Sequence, residues 1–278
     1  MTEKLQHDLP GLREPDRRIS GLLLDLDGTI YRGDEVIEGA PELMEALREA
    51  GVPYKYVTNN SSASPAAVAQ RLRAMGIPAD ADEVCTSAQA AAAYAAEHFP
   101  GGKIFMVGEE GLAEELEGAG LQLVEEAADA VVQGINRRFT YEQAAAAVRE
   151  LLSGAAYIMT NPDLLLPSKG GLFPGAGSIG AMLQAASGVQ PVLIGKPSPV
   201  LMDYALGRLG VKREEVWVVG DNLATDIASG DNTGCRTILV LTGLTDAANY
   251  ERYATVANVS PYASCVSLDE LRRYILRA

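Results

Sequence analysis

The feature that most constrains this chain is a regular alternation of short apolar runs with longer amphipathic segments. Runs of strand length lie at Gly21–Leu26, Pro53–Val57, Lys103–Val107, Ala130–Gln133, Ala155–Met159, Val192–Ile194, Val216–Val219 and Thr237–Leu241. Helical patterns fall between or after them, at Ala40–Ala50, Pro65–Met75, Ser87–His98, Tyr141–Leu152, Gly177–Ala186, Ser198–Leu209 and Leu268–Leu276. Ser64 ahead of Pro65 is a good helix start, a cap residue followed by proline at the first helical position. Strands alternating with helices imply right-handed βαβ units and a buried parallel sheet, so the fold class is α/β.

One such sheet holds about five or six strands comfortably, and the runs above are more numerous. The middle of the chain, from Thr86 to Val189, carries its own strands at Lys103–Val107, Ala130–Gln133 and Ala155–Met159, and a glycine-rich loop at Lys169–Gly180. It reads as a second α/β domain, 86–189, inserted into a first made of 19–85 and 190–278, with two chain crossings between them. One larger continuous sheet is the alternative. Residues 1–18, charged and interrupted by proline, read as a mobile tail.

Charge narrows the function classes. The 278 residues carry a formal net charge of −14, which argues against nucleic acid or an anionic membrane, since a polyanion needs a basic footprint. An anionic substrate must then be held by local charge. Cys85, Cys235 and Cys265 are far apart, with no CxxC, which suits a reducing compartment and offers no disulfide framework or zinc site. The N-terminal stretch lacks a signal-peptide apolar run, no segment has the length of a membrane span, and the cytoplasm is the default expectation. With His7 and His98 as the only histidines, a Ser–His–Asp enzyme or a His-ligated zinc site is nearly excluded.

The chemistry should sit where strands end. In an open parallel sheet, ligands bind at the carboxyl edge. Gly21–Leu26 runs into Asp25, Asp27, Gly28 and Thr29; Pro53–Val57 into Thr58, Asn59 and Asn60; Val192–Ile194 into Gly195 and Lys196; and Val216–Val219 into Gly220, Asp221 and Asn222, with Asp226 beyond. All four are expected to deliver polar groups to one rim. Strand alternation would place Asp25 and Asp27 on the same side. With Asp221 and Asp226 added, like charges are costly unless a cation compensates them. A hard divalent ion with oxygen ligands is the natural choice, and Mg2+ suits few carboxylates plus a phosphate. Taken singly, each motif has a bland reading: an acidic turn after a strand, Thr58 and Asn59 as turn residues, Lys196 as a solvated lysine.

Two other motifs fail on context. Gly175-Ala-Gly177-Ser-Ile-Gly180 satisfies GxGxxG, but it comes after Leu-Phe-Pro rather than a convincing strand and has no acidic residue at the required offset. Ile194-Gly195-Lys196-Pro197 resembles the end of a P-loop without its upstream glycine or its hydroxyl residue.

DLDGT at 25–29, VTNNSS at 57–62, GKPSP at 195–199 and GDNLATDI at 220–227 resemble, in order, the four motifs of the haloacid dehalogenase superfamily. YRGDEVIEGA at 31–40, TNPDLLLPSKGGLFPGAGSIGAML at 160–183 and RTILVLTG at 236–243 resemble its NagD-type phosphatase branch. The resemblance covers nearly the whole chain after residue 19. It implies a Rossmann-like, doubly wound parallel-sheet core with a large inserted α/β cap, and a Mg2+-dependent phosphatase acting on a small phosphorylated metabolite, such as a sugar phosphate or nucleoside monophosphate. By the same resemblance Asp25 is the nucleophile and Asp27 the acid and base. The metal is held by Asp25, the Asp27 carbonyl and Asp221, with Asn222 and Asp226 in support, and Thr58, Asn59 and Lys196 hold phosphoryl oxygens. Asn161 and Asp163 read equally as substrate contacts from the cap or as a turn. Relatives pair through the cap, which makes a homo-oligomer an expectation. Asn136 stands where the branch often has aspartate, which bears on substrate choice. A phosphomutase or phosphotransferase, and a catalytically silent binding protein on the same fold, are the alternatives; a dehalogenase is disfavoured by Asp27 and the expected metal.

Overall fold

The computed structural model describes residues 9–168 and 171–277. They fall into two compact units: the described parts of Met1–Thr58, Ala69–Val84 and Met202–Ala278 form the first, and Asn59–Val68 with Cys85–Leu201 the second. The chain therefore crosses at 58/59, 68/69, 84/85 and 201/202, where the sequence pattern implies two crossings. Among the described residues no helix is long and apolar enough to cross a membrane.

The first unit is organised by a parallel sheet in which β1 (Gly21–Leu24) lies between β13 (Val216–Gly220) and β4 (Tyr54–Thr58). Beyond β13 come β14 (Arg236–Val240) and β15 (Ala263–Cys265), and β5 (Val84–Thr86) ends the order on the other side. Every residue of β1 and β13 is buried, which explains why these strands read as continuous apolar runs rather than alternating ones. Helix α1 (Ala40–Glu49) buries Ala40, Leu43, Met44 and Leu47, spaced as one apolar stripe, and packs on α10 (Leu268–Ile275). The latter starts at Ser267, whose hydroxyl accepts from Glu270 N–H at 3.2 Å while the Glu270 carboxylate accepts from Val266 N–H. A small hairpin, β2 (Tyr31–Arg32) with β3 (Glu35–Val36), is latched by Arg71 of α2 (Pro65–Ala74). The Arg71 guanidinium lies 4.6 Å from the Tyr31 ring centre and donates to Gly33 O.

The expectation of a mobile tail fails for its described part. Leu9 packs against Leu223, Ile227, Leu239, Tyr250 and Ala254, and Pro10 O accepts from Ser264 of β15 at 2.6 Å. Arg13 covers the Tyr262 ring at 3.9 Å, its carbonyl accepts from Tyr274, and Asp16 pairs with Arg236. Trp217, fully buried, donates its indole N–H to Arg18 O at 3.3 Å. Residues 1–8, with His7, lie outside the described residues. Composition suggests mobility, but it does not show that aromatic partners hundreds of residues away receive this segment.

The second unit carries a parallel sheet in the order β12-β9-β8-β6-β7: β12 (Val192–Leu193), β9 (Ala156–Met159), β8 (Ala130–Gln133), β6 (Lys103–Val107) and β7 (Gln122–Leu123). Phe105, Val131, Tyr157 and Leu183 are among its buried core. Around the sheet lie α3 (Ser87–His98), α4 (Glu110–Gly118), α5 (Tyr141–Leu152) and α6 (Ala176–Ser187), with the hairpin β10 (Leu165–Ser168) and β11 (Gly171–Pro174) ahead of α6. α7 (Pro199–Leu209) spans the boundary at 201/202, and α8 (Ala228–Thr233) and α9 (Tyr250–Ala257) belong to the first unit.

One strand lies in a different sheet from the one its position in the sequence suggests. Val192 and Leu193 pair in parallel with Ile158 and Met159, so the run before Lys196 belongs to the second sheet and not to the one containing β1. The reason is local: Ile194 N–H and Gly195 N–H continue that pairing onto Met159 O and Thr160 O. The unit accordingly extends past 189 to Leu201 and takes in Asn59–Val68, where Ser61 accepts from Ile135 N–H. The GxGxxG stretch is a packing device. A side chain at Gly175 or Gly177 would collide with the backbone at Asp163 or Pro162, and one at Gly180 with Met159. Lys169 and Gly170 of the expected glycine-rich loop lie outside the described residues.

Candidate active site

In the first unit, β1 and β13 are neighbours, and the turns leaving their carboxyl ends meet. Asp25 directly succeeds β1 and donates its N–H to Val219 O at 2.9 Å. Asp221 directly succeeds β13 and is 4% exposed. A π-helical turn, Leu223–Ile227, then brings Asp226 back, 1% exposed. Asn222 starts that turn by accepting from Ala224 N–H at 2.9 Å, and its own N–H donates to the Asp226 carboxylate at 3.1 Å. Carboxylate oxygens of Asp25, Asp221 and Asp226 all lie within 4.8 Å of one another.

Three carboxylates so close, with Asp221 and Asp226 buried and Asp25 half-buried, repel one another, and a cation among them offsets that cost. The donor set is all hard oxygen, which fits a divalent ion of the magnesium or calcium type and disfavours soft metals. Asp226, expected in a supporting place, has its carboxylate in the group itself. Asp27 does not. β1 ends at Leu24, so strict alternation does not carry through Asp25 to Asp27. Instead the chain turns: Gly28 takes φ 91° and donates to Tyr31 O at 2.7 Å, and Asp27 makes an isolated bridge to Tyr31.

The Asp27 side chain keeps contact with solvent. Protein packed around it nevertheless removes enough water to raise its carboxyl above the usual range; Arg71, the Gly33 backbone and Arg32 oppose this. A carboxyl that keeps its proton longer is suited to acid–base work. Thr58 closes β4, the other neighbour of β1, and is half-buried.

In the second unit, Asn59 and Lys196 are tied together. Asn59 Oδ1 accepts from Lys196 N–H at 2.8 Å, and Asn59 Nδ2 donates to Lys196 O at 3.1 Å. The Asn59 carbonyl accepts from Asn161 Nδ2 at 2.8 Å and Ser87 Oγ at 2.7 Å. Asp163 accepts from Asn59 Nδ2 at 3.2 Å, and its N–H donates to Asn161 Oδ1. Asn161 and Asp163 therefore brace the Asn59–Lys196 pair, a contact that neither of their sequence readings contains. Lys196 is only 3% exposed, so it is not the solvated lysine of its bland reading. Asn136 is engaged within its own loop, donating to Gln143 Oε1 and accepting from Arg138 N–H.

Sequence reasoning gives no role to the loop after β14. Leu244 N–H donates to the Asp221 carboxylate and Thr245 N–H to the Asp221 carbonyl. The available signal is topological: β14 adjoins β13, so the chain leaving it must pass the residue that ends β13.

Comparison with known proteins places these features in a family. A model described as haloacid dehalogenase-like hydrolase matches residues 22–122, and one described as HAD-hydrolase-like matches residues 193–271. The chain is 45% identical over 225 residues to the 5'-nucleotidase YutF of Bacillus subtilis, covering 81% of this chain and 88% of that protein. It is 44% identical over 231 residues to an acid sugar phosphatase of Staphylococcus saprophyticus, covering 83% and 89%. Among solved structures, a p-nitrophenyl phosphatase from Archaeoglobus fulgidus superposes with a TM-score of 0.88 at 37% identity, covering 93% of this chain and 99% of that one. A 4-nitrophenylphosphatase from Thermotoga maritima gives 0.87 at 38%, covering 92% and 97%.

Proposed function

Since the chain belongs to the haloacid dehalogenase-like hydrolases and is a phosphatase of their NagD-type branch, we propose that it hydrolyses a small phosphorylated metabolite with Mg2+ through an aspartyl-phosphate on Asp25. The observation that carries this reading is the group of half-buried Asp25 with buried Asp221 and Asp226 at the ends of β1 and β13. Bound there by the Asp25 and Asp221 carboxylates and the Asp27 carbonyl, with Asn222 and Asp226 in support, Mg2+ would neutralise carboxylate and phosphoryl charge.

The residues divide the work. An Asp25 oxygen attacks phosphorus in line with the leaving oxygen, forming the acyl phosphate as the ester P–O bond breaks. Asp27 gives its proton to the departing alcohol and then takes one from water. That water attacks phosphorus, the bond to Asp25 breaks, and inorganic phosphate leaves. Thr58, Asn59 and Lys196 bind the phosphoryl oxygens. The Asn59–Lys196 tie, which holds the Lys196 main chain against the Asn59 side chain before substrate arrives, supports this assignment. A sugar phosphate or nucleoside monophosphate is the expected substrate, as the names of the relatives suggest. The inserted unit, drawn from sequence as 86–189, is read as the cap that selects it. Its exposed Leu164, Leu165, Leu172 and Phe173 support pairing of two copies through that unit.

The test is hydrolysis of p-nitrophenyl phosphate. Turnover is expected with Mg2+, lost with EDTA and reduced at least about 1,000-fold in Asp25→Asn. Full activity in Asp25→Asn would overturn the nucleophile.

A further inference from the structure

The loop after β14 crowds the end of β13 closely. A side chain on Gly243 would bring its first carbon within 3.0 Å of the Asp221 carboxylate, and so would one on Gly28. The two glycines enclose the same acidic group. They are not equivalent, however. Gly28 has φ 91°, a backbone region that itself favours glycine, whereas Gly243 is outside the left-handed region. At Gly243 the backbone would accept an ordinary residue. What excludes one is Asp221.

The same loop contacts Asp221 through backbone donors, with Leu244 N–H on the carboxylate and Thr245 N–H on the carbonyl. It is anchored in turn to the segment after β1. Thr242 Oγ1 donates to Gly28 O at 2.8 Å, and the Arg32 guanidinium donates to Thr242 O, with Nε at 3.0 Å. We propose that residues 242–245 are a positioning element for the divalent cation: Gly243 and Leu244 N–H fix the direction of the Asp221 carboxylate, and Thr242 holds the loop against Gly28. This rests on the metal-dependent reading above and adds residues that do not touch the metal or the substrate. Partners that orient a ligating carboxylate typically alter metal affinity about 10–100-fold when lost.

The test is titration calorimetry with Mg2+ alone, alongside melting curves in EDTA. Gly243→Ala is expected to weaken Mg2+ binding roughly tenfold or more while keeping a cooperative melt in EDTA. Gly207→Ala, at a helical glycine with open space around it, is expected to bind as the wild type does. Thr242→Val should weaken Mg2+ binding and Thr242→Ser should restore it, which a purely steric role for the side chain would not produce. Wild-type Mg2+ affinity in Gly243→Ala would overturn the proposal; if that variant does not fold, wild-type affinity in Thr242→Val would do so. Mg2+ binding by the wild type without phosphatase turnover would instead refute the functional reading and leave the affinity comparison in force.

Discussion

At the scale of single residues, the site is governed by groups that must not move. Asp226 is confined as Asp221 is, since a side chain at Gly220 would fall within 3.0 Å of it. Asn59 shows the same economy in the second unit, where one amide spans Lys196 and reaches Asp163. Asn59→Asp replaces the donating nitrogen with an oxygen facing both Lys196 O and the Asp163 carboxylate. It is expected to cost about 1–3 kcal/mol, read as a lowered melting midpoint, and Asp163→Asn in the same chain should return part of the loss. The identities of these residues are legible in the sequence, because polar groups after apolar runs stand out. Their mutual constraints are not. Nothing in a string of letters shows that Gly243 is vacant for the benefit of a residue twenty-two positions earlier.

Elements repeat the pattern. Long buried strands and amphipathic helices such as β1, β13, α1 and α5 are written plainly in hydrophobic spacing. Two-residue strands are not, and β12 reads as part of the wrong sheet because its partner, β9, is settled by tertiary pairing. α4 escapes notice because glycines stand near both ends and only Gly111, Leu112 and Leu116 are buried. The segment 9–18 escapes because its binding depends on Tyr262, Tyr274 and Trp217. Within it, the guanidinium of Arg236 holds the Asp16 carboxyl below its usual range. A group depressed in the folded state stabilises above the ordinary carboxylate pKa of about 3.9 and loses that contribution as pH falls through the folded value. Asp16→Asn should therefore melt slightly earlier than the wild type at neutral pH, and the difference should vanish below the carboxylate range. An unchanged difference in acid would show that the ion pair is not its source.

For the whole molecule, the division into units makes a prediction about fragments. A piece cut at the sequence-drawn bounds, 86–189, loses β12 and the fully buried Ile194, whereas 85–201 keeps both. The longer fragment is expected to be more stable by about 1.5–3 kcal/mol, the worth of one buried aliphatic side chain, and thermal melts of the two would show it. The tied-down N-terminal segment has a consequence in time. The partners of residues 9–18 are Trp217, Gly234, Arg236, Tyr262, Ser264 and Tyr274. A ribosome makes the segment roughly 200 residues ahead of the first of these partners, at about 5–20 residues per second. Residues 9–18 therefore wait about 10–40 s for the first of these partners, and the contacts that tie them down form only once residues 217–274 have been made.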